Sequence, residues 1–559
     1  MNNDTRATAA FRAARDILLE NRTELDHAHR LFTWPELTHF NWALDWFDVI
    51  ASDNARPAVR VLSEQGEESI SFQDLAVRSD QVATWLRGQG VQRGDRILIC
   101  LHNGVALWET ILAGIKLGAV LVPTYPSAPA PDLADRIRRA EVRHVITEPS
   151  LTAKFRQAPK KWTPICTGRT PRGWIPYEAS RQDQGRGFEP DGRTRADDPL
   201  FCYFTSGTTS LPKMVVHTHT SYPVGHLSGM YWNGLRPGDL HLNISAPGWA
   251  KHAWSSFFVP FNAEATVLAF RDPTPRPEWI LTALRASGVT AFCAPPTVWR
   301  GMLAAGLGPR PTGLREATSA GEPLEASLID TVRTEWGVWV RDGYGQTETT
   351  CQVGNPPGRV PEPGMMGWPM PGYRMRVIDD TTGRPAKPGA PGVLCVDLAD
   401  RPAGMMAGYL GDPEQTGKAF AGGLYRTGDL VTQSDSGAFS YQGRDDDMFK
   451  SFDHRIAPLE LETALLGHPA VAQAAVVPAP HEEGLFIPKA FVVLAGGCEP
   501  DEETARCVLA HAATVLPPEK MIKAIHFTDA LPTTISGKVQ RSVLRDQPAT
   551  GGHEFEPAT

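Results

Sequence analysis

The segment that most constrains the fold runs from Gly94 to Pro126. "GDRILICL" has the make-up of a buried strand, "VALWETILAGIKLG" has helical spacing, and "AVLVPTYP" is a second apolar run stopped by prolines. Strand, helix and strand in that order form a crossover unit, which calls for a parallel sheet with helices on its faces. Further runs at "VRHVITE", "ATVLAF" and "VTAFCAPP" extend the pattern, and no fixed-period repeat replaces it. The expected class is α/β, with helix-flanked β-sheets in a large N-terminal domain.

The texture changes twice. Residues 157–198 are rich in Pro, Gly and Arg and read as a long surface connection. From about 360, "PGYRMRVID", "GVLCVDL" and "AFSYQGR" are short strands between Gly/Pro turns, which predicts a small β-barrel-like module over 360–445. After the polar interruption "GRDDDMFKSFDHRI", the helical "LELETALLGH" and the runs "VAQAAVVPAP" and "PKAFVVLA" suffice for a separate α+β domain. The division expected is 1–445 and 446–559, with Asp446 at the boundary.

Charge and cysteine usage exclude several classes. A formal net charge of -8 disfavours nucleic acid as partner. No apolar run approaches the roughly 18 residues that span a bilayer, and the N-terminal stretch lacks a secretory layout. Phe11, Ala14 and Leu18 share one helical stripe, which predicts a docked amphipathic helix. The 8 cysteines form no CxxC pair and several lie in strand-like runs, so buried thiols in a reducing cytoplasm are expected. A monomer or a homodimer is compatible with this composition.

Four polar segments stand out. In "YFTSGTTSLPK", Thr205, Ser206, Gly207, Thr208 and Thr209 offer hydroxyls and open backbone N–H groups, and Lys213 adds a cation. This could be a phosphate nest or a plain surface turn. It is not a P-loop, because Pro212 precedes the lysine and Met214, which cannot ligate Mg²⁺, follows it. In "RDGYGQTETT", Thr347 and Glu348 set a hydroxyl beside a carboxylate, a hard-oxygen pair suited to Mg²⁺ and also to a polar turn. Asp429 in "YRTGDL" could accept ribose hydroxyls or simply form a turn. Lys538 follows a flexible Ser-Gly in "TTISGKVQR".

In conjunction, and in this order, these segments resemble the adenylate-forming superfamily of acyl-CoA synthetases, peptide synthetase adenylation domains and luciferases. "SAPGWAKHAW", "VTAFCAPPTVWR", "SAGEPL" and "GRDDDMFKSFDHRIAPLELE" complete the set between about 65 and 545. The "GWAK…W", "APPT.WR" and "SAGEPL" segments look most like the medium-chain and aromatic acyl-CoA synthetase branch. The resemblance implies that Thr205–Thr209 and Lys213 grip the ATP β- and γ-phosphates. It lays Gly321, Glu322 and Pro323 along the adenine, lines adenine and α-phosphate with Gly343, Tyr344, Gly345, Gln346 and Thr347, and gives Mg²⁺ to Glu348. Asp429 and Arg444 would take the ribose, and Arg455 would approach the phosphates. Lys538 would reach the acid carboxylate and α-phosphate, and Asp446 would be the hinge between adenylation and transfer to CoA.

A carboxylate needs no general base at neutral pH, so positioning and cationic stabilisation would supply the rate. Trp249, Lys251, His252 and Trp254 would flank the acid, or simply pack as a core-facing helix. Gly345 stands where acetate-specific relatives carry a blocking tryptophan, which implies a larger acid. His217 and His219 read as helix residues after the loop.

Two departures matter. Ser210 replaces a glycine of the loop, and Asp453 stands where the family has glycine on the pantetheine tunnel. The expected activity is an AMP-forming acid:CoA ligase using ATP, Mg²⁺ and CoA. Asp453 keeps open a non-CoA acceptor, as in amide-forming ligases or diazotases that adenylate nitrite and pass it to an aryl amine. A non-catalytic nucleotide-binding relative is opposed by Glu348, Asp429, Arg444 and Lys538 standing together.

Overall fold

The computed structural model describes residues 6–159, 161–182, 187–205, 212–452, 454–481, 485–533, 539–546 and 553–555. By packing, the chain divides into a larger unit (Met1–Thr205, Lys213–Arg374, Asp397–Tyr425) and a smaller one (Ser206–Pro212, Met375–Val396, Arg426–Thr559).

The larger unit is built on two mixed sheets. Arg96–Cys100, the helix Val105–Leu117 and Val120–Pro123 form the expected crossover, with Arg96 beside Val120 and Leu98 beside Val122 in parallel register. Gly118 ends the helix at φ 68°, where a left-handed cap favours glycine. The strands Arg96–Cys100, Val120–Pro123, His144–Thr147, Thr163–Cys166, Ile175–Pro176 and Pro199–Phe204 run parallel, and Met214–Thr218 and Gly408–Tyr409 add an antiparallel edge. The second sheet has nine strands, with six parallel ones from Pro57–Ser63 to Val340–Gly345 at its centre. A core of Leu242, Leu268, Phe292, Trp299, Val332 and Val340 seals its helix-covered face.

The N-terminal helix is Arg6–Glu20, with Phe11, Ala14 and Leu18 buried as their stripe predicts. The stretch 157–198 is more than a surface connection. Ile165, Cys166 and Tyr177 are fully buried, and the strands Thr163–Cys166 and Ile175–Pro176 widen the first sheet. Apolar residues too few to show a period were enough to bury these short strands.

The smaller unit contains a four-stranded sheet, ordered Met375–Ile378, Gly392–Asp397, Leu424–Gln433, Phe439–Arg444. Packing thus groups this β-rich module with the residues from Arg426 onward. A second sheet, Val471–His481, Leu485–Leu494, Ala524–Phe527 and His553–Phe555, is packed with the helices Pro458–Leu466 and Glu502–Val515. Leu461, Leu465, Val476, Val492, Val508 and Ile525 form its core. Asp501 caps the second helix by accepting the Thr504 N–H. Glu462, 5% exposed, takes two bonds from Arg541 Nη2 and one from the Val476 N–H.

Six of the eight cysteines are buried and all eight are unbridged. Among the described residues, no helix is long and apolar enough to cross a membrane.

Candidate active site

In the larger unit the site grows from strand ends. Pro199–Phe204 delivers Thr205, whose N–H donates to the Lys213 carbonyl at 2.9 Å. Ser206, Gly207, Thr208, Thr209 and Ser210 lie outside the described residues. Lys213 precedes the strand Met214–Thr218, and its Nζ stands 5.1 Å from the centre of the Tyr409 ring. Tyr409 is placed beside Val215 by antiparallel pairing, and its hydroxyl donates to Glu348 Oε1 at 3.1 Å.

Thr347 and Glu348 sit in the turn between Val340–Gly345 and Cys351–Gly354. Backbone bonds fix this turn: the Met406 N–H donates to the Glu348 carbonyl at 2.8 Å, and the Thr349 N–H to the Gln346 carbonyl. Tyr425 donates to Gln346 Oε1 at 2.8 Å. His217 is a strand residue and His219 lies in the following turn, which corrects the helical expectation; pairing with Phe201 overrides local preference here. His217 Nε2 meets the Thr347 carbonyl at 2.7 Å and Nδ1 meets Ser221 Oγ at 2.9 Å. The carbonyl only accepts, so the network assigns the proton to Nε2. Burial lowers the His217 pKa to about 4, which keeps the ring neutral in this role.

Glu348 is half-buried, with no described cation within ion-pair distance of its carboxylate. A hard, uncompensated oxygen donor of this kind fits one Mg²⁺ shared with phosphate oxygens. No cluster of three potential ligands occurs among the described residues, so substrate oxygens would complete the shell.

Gly343 and Gly345 are glycine for a steric reason. A Cβ on Gly343 would lie 2.6 Å from Trp232 Nε1, and one on Gly345 would lie 2.6 Å from Trp254 Cη2. Tyr344 stands between them, half-buried. Asp342 accepts the Gly343 N–H at 2.8 Å, and its burial raises its pKa well above the carboxylate range. Gly321 has φ +112°, and a Cβ there would lie 3.8 Å from Trp249 Cη2, so the "GEP" turn and Trp249 are neighbours. Glu322 pairs with Arg300 at 3.2 Å, and Pro323 follows without regular structure.

Trp249 and His252 line a cavity of about 20 Å³ with Ile99, Phe201, Tyr203 and Gly248. His252 also meets Asn103 Oδ1 at 2.8 Å. Lys251 turns away from that cavity, because successive helical positions point roughly 100° apart. Its ammonium lies between Trp232 and Trp254.

In the smaller unit, Asp429 and Arg444 face each other across antiparallel strands, with Nη1 and Oδ1 3.4 Å apart. Tyr441 donates to Asp429 at 3.3 Å. Arg444 also grips Asp446 at 2.9 and 3.2 Å. Burial opposes its charge, but the Asp446 and Asp429 carboxylates outweigh that and raise its pKa. Arg455 pairs with Asp445 at 2.5 Å. Asp453 and Lys538 lie outside the described residues.

Tyr409, Trp232 and Asp342 are the residues the sequence reading missed. Tyr409 lies in "GYLGDPEQT", whose only local signal is a turn, and its partner is 61 positions away.

The family models for "AMP-binding enzyme" and "AMP-binding enzyme C-terminal domain" match residues 48–410 and 460–538. The chain belongs to the AMP-binding enzyme family. Within it, this AMP-forming ligase is 37% identical over 533 residues to 4-hydroxybutyrate--CoA ligase 1 of Metallosphaera sedula, covering 94% of this chain and 93% of the relative. It is 32% identical over 535 residues to the mitochondrial acyl-coenzyme A synthetase ACSM3 of Mus musculus, covering 91% and 90%. The anthranilate CoA ligase AuaEII, solved with anthranoyl-AMP, superposes with a TM-score of 0.82 at 25% identity, covering 91% of this chain and 97% of that one. The AMP-binding ligase thus has the family's mixed α/β fold, with a large N-terminal sheet domain and a smaller C-terminal one.

Proposed function

We propose that this ligase uses ATP to adenylate a medium-chain or aromatic carboxylic acid, releases pyrophosphate and transfers the acyl group to CoA. The observation that carries the reading is the tether of Glu348 to Tyr409, beneath the Lys213 ammonium. It sets a metal-suited carboxylate beside the cation that ends the hydroxyl-rich stretch. Mg²⁺ held by Glu348 would neutralise phosphate charge. Lys213 and Thr205 would hold the β- and γ-phosphates with Ser206–Thr209, and His217 fixes Thr347 beside the α-phosphate. Asp429 and Arg444 would bind the ribose, Lys538 would bridge the acid carboxylate and α-phosphate, and Asp446 would act as hinge between domains 1–445 and 446–559.

Relatives named as a 4-hydroxybutyrate and an anthranilate CoA ligase support CoA as acceptor and an acid larger than acetate. We place the enzyme in the cytoplasm, as a monomer or homodimer. The test is pyrophosphate release across a panel of acids, nitrite included, each with CoA, with an aryl amine, or with neither. CoA-dependent turnover of a medium-chain or aromatic acid is expected. Turnover indifferent to CoA but dependent on the amine would overturn the acceptor assignment, and would turn attention to Asp453.

A further inference from the structure

From Pro149 to Tyr177 the chain carries six Lys or Arg and no Asp or Glu, although the net charge of the whole is -8. Lys154 is spent inside the fold, donating to the Pro126 and Ala128 carbonyls at 2.7 and 3.1 Å. Lys160 lies outside the described residues. Arg156, Lys161, Arg169 and Arg172 are exposed, and none of their side chains has an ion-pair or hydrogen-bond partner among the described residues.

The acids nearby are already committed. Glu148 meets His102 Nδ1 at 2.8 Å and accepts from Ser150 Oγ at 2.7 Å and Arg271 Nη2 at 3.3 Å. Glu178 accepts the Gly168 N–H at 2.6 Å. On the neighbouring helix Ala130–Arg139, Asp132 pairs with Arg136, and Asp135 pairs with Arg138 and Arg139. Four cations are thus left to attract an anionic partner from solution. Arg169 and Arg172 lie in the turn between the edge strands Thr163–Cys166 and Ile175–Pro176, so their charge is carried by ordered structure and not by a free tail.

Aromatic rings lie among these charges. Phe155 is buried, and its ring is 5.9 and 6.0 Å from those of Trp162 and Trp174, which are 5.6 Å apart. Both indoles are half-buried and pack against the core cluster that holds Leu98, Val122 and Val145. Lys161 adjoins Trp162, and Arg172 stands two positions before Trp174. Indoles beside Lys and Arg suit a membrane–water interface, where the rings settle among headgroups and the cations meet lipid phosphates. A nucleic acid offers phosphates too, but the net negative charge repels it at longer range.

We infer that the segment 149–177 docks the larger unit onto the surface of an anionic phospholipid bilayer, without crossing it. Each basic side chain at such a surface contributes roughly fivefold in affinity, so four give reversible binding and no permanent anchor.

The test is cosedimentation of the full-length protein with vesicles of phosphatidylglycerol and phosphatidylcholine in equal parts, set against vesicles of phosphatidylcholine alone. At about 0.1 M salt, binding to the anionic vesicles is expected to exceed binding to the neutral ones by at least ~10-fold. Near 1 M, where screening shortens to about 3 Å, it should vanish. The triple variant Lys161→Glu, Arg169→Glu, Arg172→Glu is expected to lose binding with Tm unchanged. Equal charge reversal at the exposed Arg276, Arg384 and Lys387 is expected to retain it. Equal loss in both triple variants would mean a response to net charge alone, and overturns the inference. A wild type that stays in solution with both vesicles overturns it as well, and retention only on immobilised poly-glutamate would mark a protein-binding site instead. Release from the anionic vesicles by added CoA would assign the cations to the phosphates of CoA, and is equally fatal. The lipid and salt comparisons use the wild type, so they decide the matter even if a variant melts early.

Discussion

The Tyr409 hydroxyl donates to Glu348 Oε1 at 3.1 Å, while the Lys213 ammonium stands 5.1 Å from the centre of the same ring. One aromatic side chain thus connects the end of the hydroxyl-rich stretch to the carboxylate proposed for Mg²⁺. A hydrogen bond to a charged group is worth about 1.5–3 kcal/mol. Tyr409→Phe is therefore expected to weaken Mg·ATP binding by about 10-fold or more. Calorimetric titration with a non-hydrolysable ATP analogue, with and without Mg²⁺, reads this directly. Equal loss in both titrations would show that Tyr409 supports only its strand.

Lys538→Ala is expected to lower adenylate formation by at least ~100-fold, the scale of losing one preorganised charge. Pyrophosphate release measures it. Near-normal release in the variant would remove Lys538 from the chemistry.

Gly343 is filled against Trp232, with only 2.6 Å between Nε1 and an added Cβ. Overpacking of this kind costs about 1–3 kcal/mol. Gly343→Ala should lower Tm, and adding Trp232→Phe should restore part of the loss by making room. A single variant as stable as wild type would show that the indole moves freely.

Five histidines of the larger unit are buried neutral: burial lowers His217 to about 4, His219, His241 and His252 to about 3, and His226 well below its usual value. In the unfolded chain they titrate near 6.5, so between about 6.5 and 4 the unfolded state binds more protons than the folded one. Stability is full above the unfolded value and falls as pH is lowered through this window. Each such group costs about 1.4 kcal/mol per pH unit. Thermal melts at pH 7, 6 and 5 should show a progressive fall, with a partial reprieve in His252→Asn. A flat Tm across that range would show that these rings protonate without loss of the fold.

Sequence reading reached the crossover strands because Ile97, Leu98 and Ile99 form an unbroken apolar run, and such runs declare themselves locally. It singled out Glu348, Asp429 and Arg444 because each belongs to a short motif, and the last two face each other across one sheet. It could not reach Tyr409, whose function depends on pairing with Val215 across a long stretch of chain. It misread His217 for a related reason: a lone histidine after a loop has no periodicity, and only the sheet neighbour Phe201 shows that it is in a strand. Lys251 was legible as a residue of the "GWAK" segment, whereas its place between two indoles is a property of packing alone.

The sheet order Met375–Ile378, Gly392–Asp397, Leu424–Gln433, Phe439–Arg444 limits how this gene can be cut. Two of those strands are encoded before Asp397 and two after Ala421, so no single break separates the smaller unit from the larger. A fragment ending at Tyr425 would keep Gly392–Asp397 but lose most of its neighbour, baring an apolar edge able to recruit other chains. Split reporters or isolated-domain expression would need Met375–Val396 grafted onto Arg426–Thr559 through a new linker.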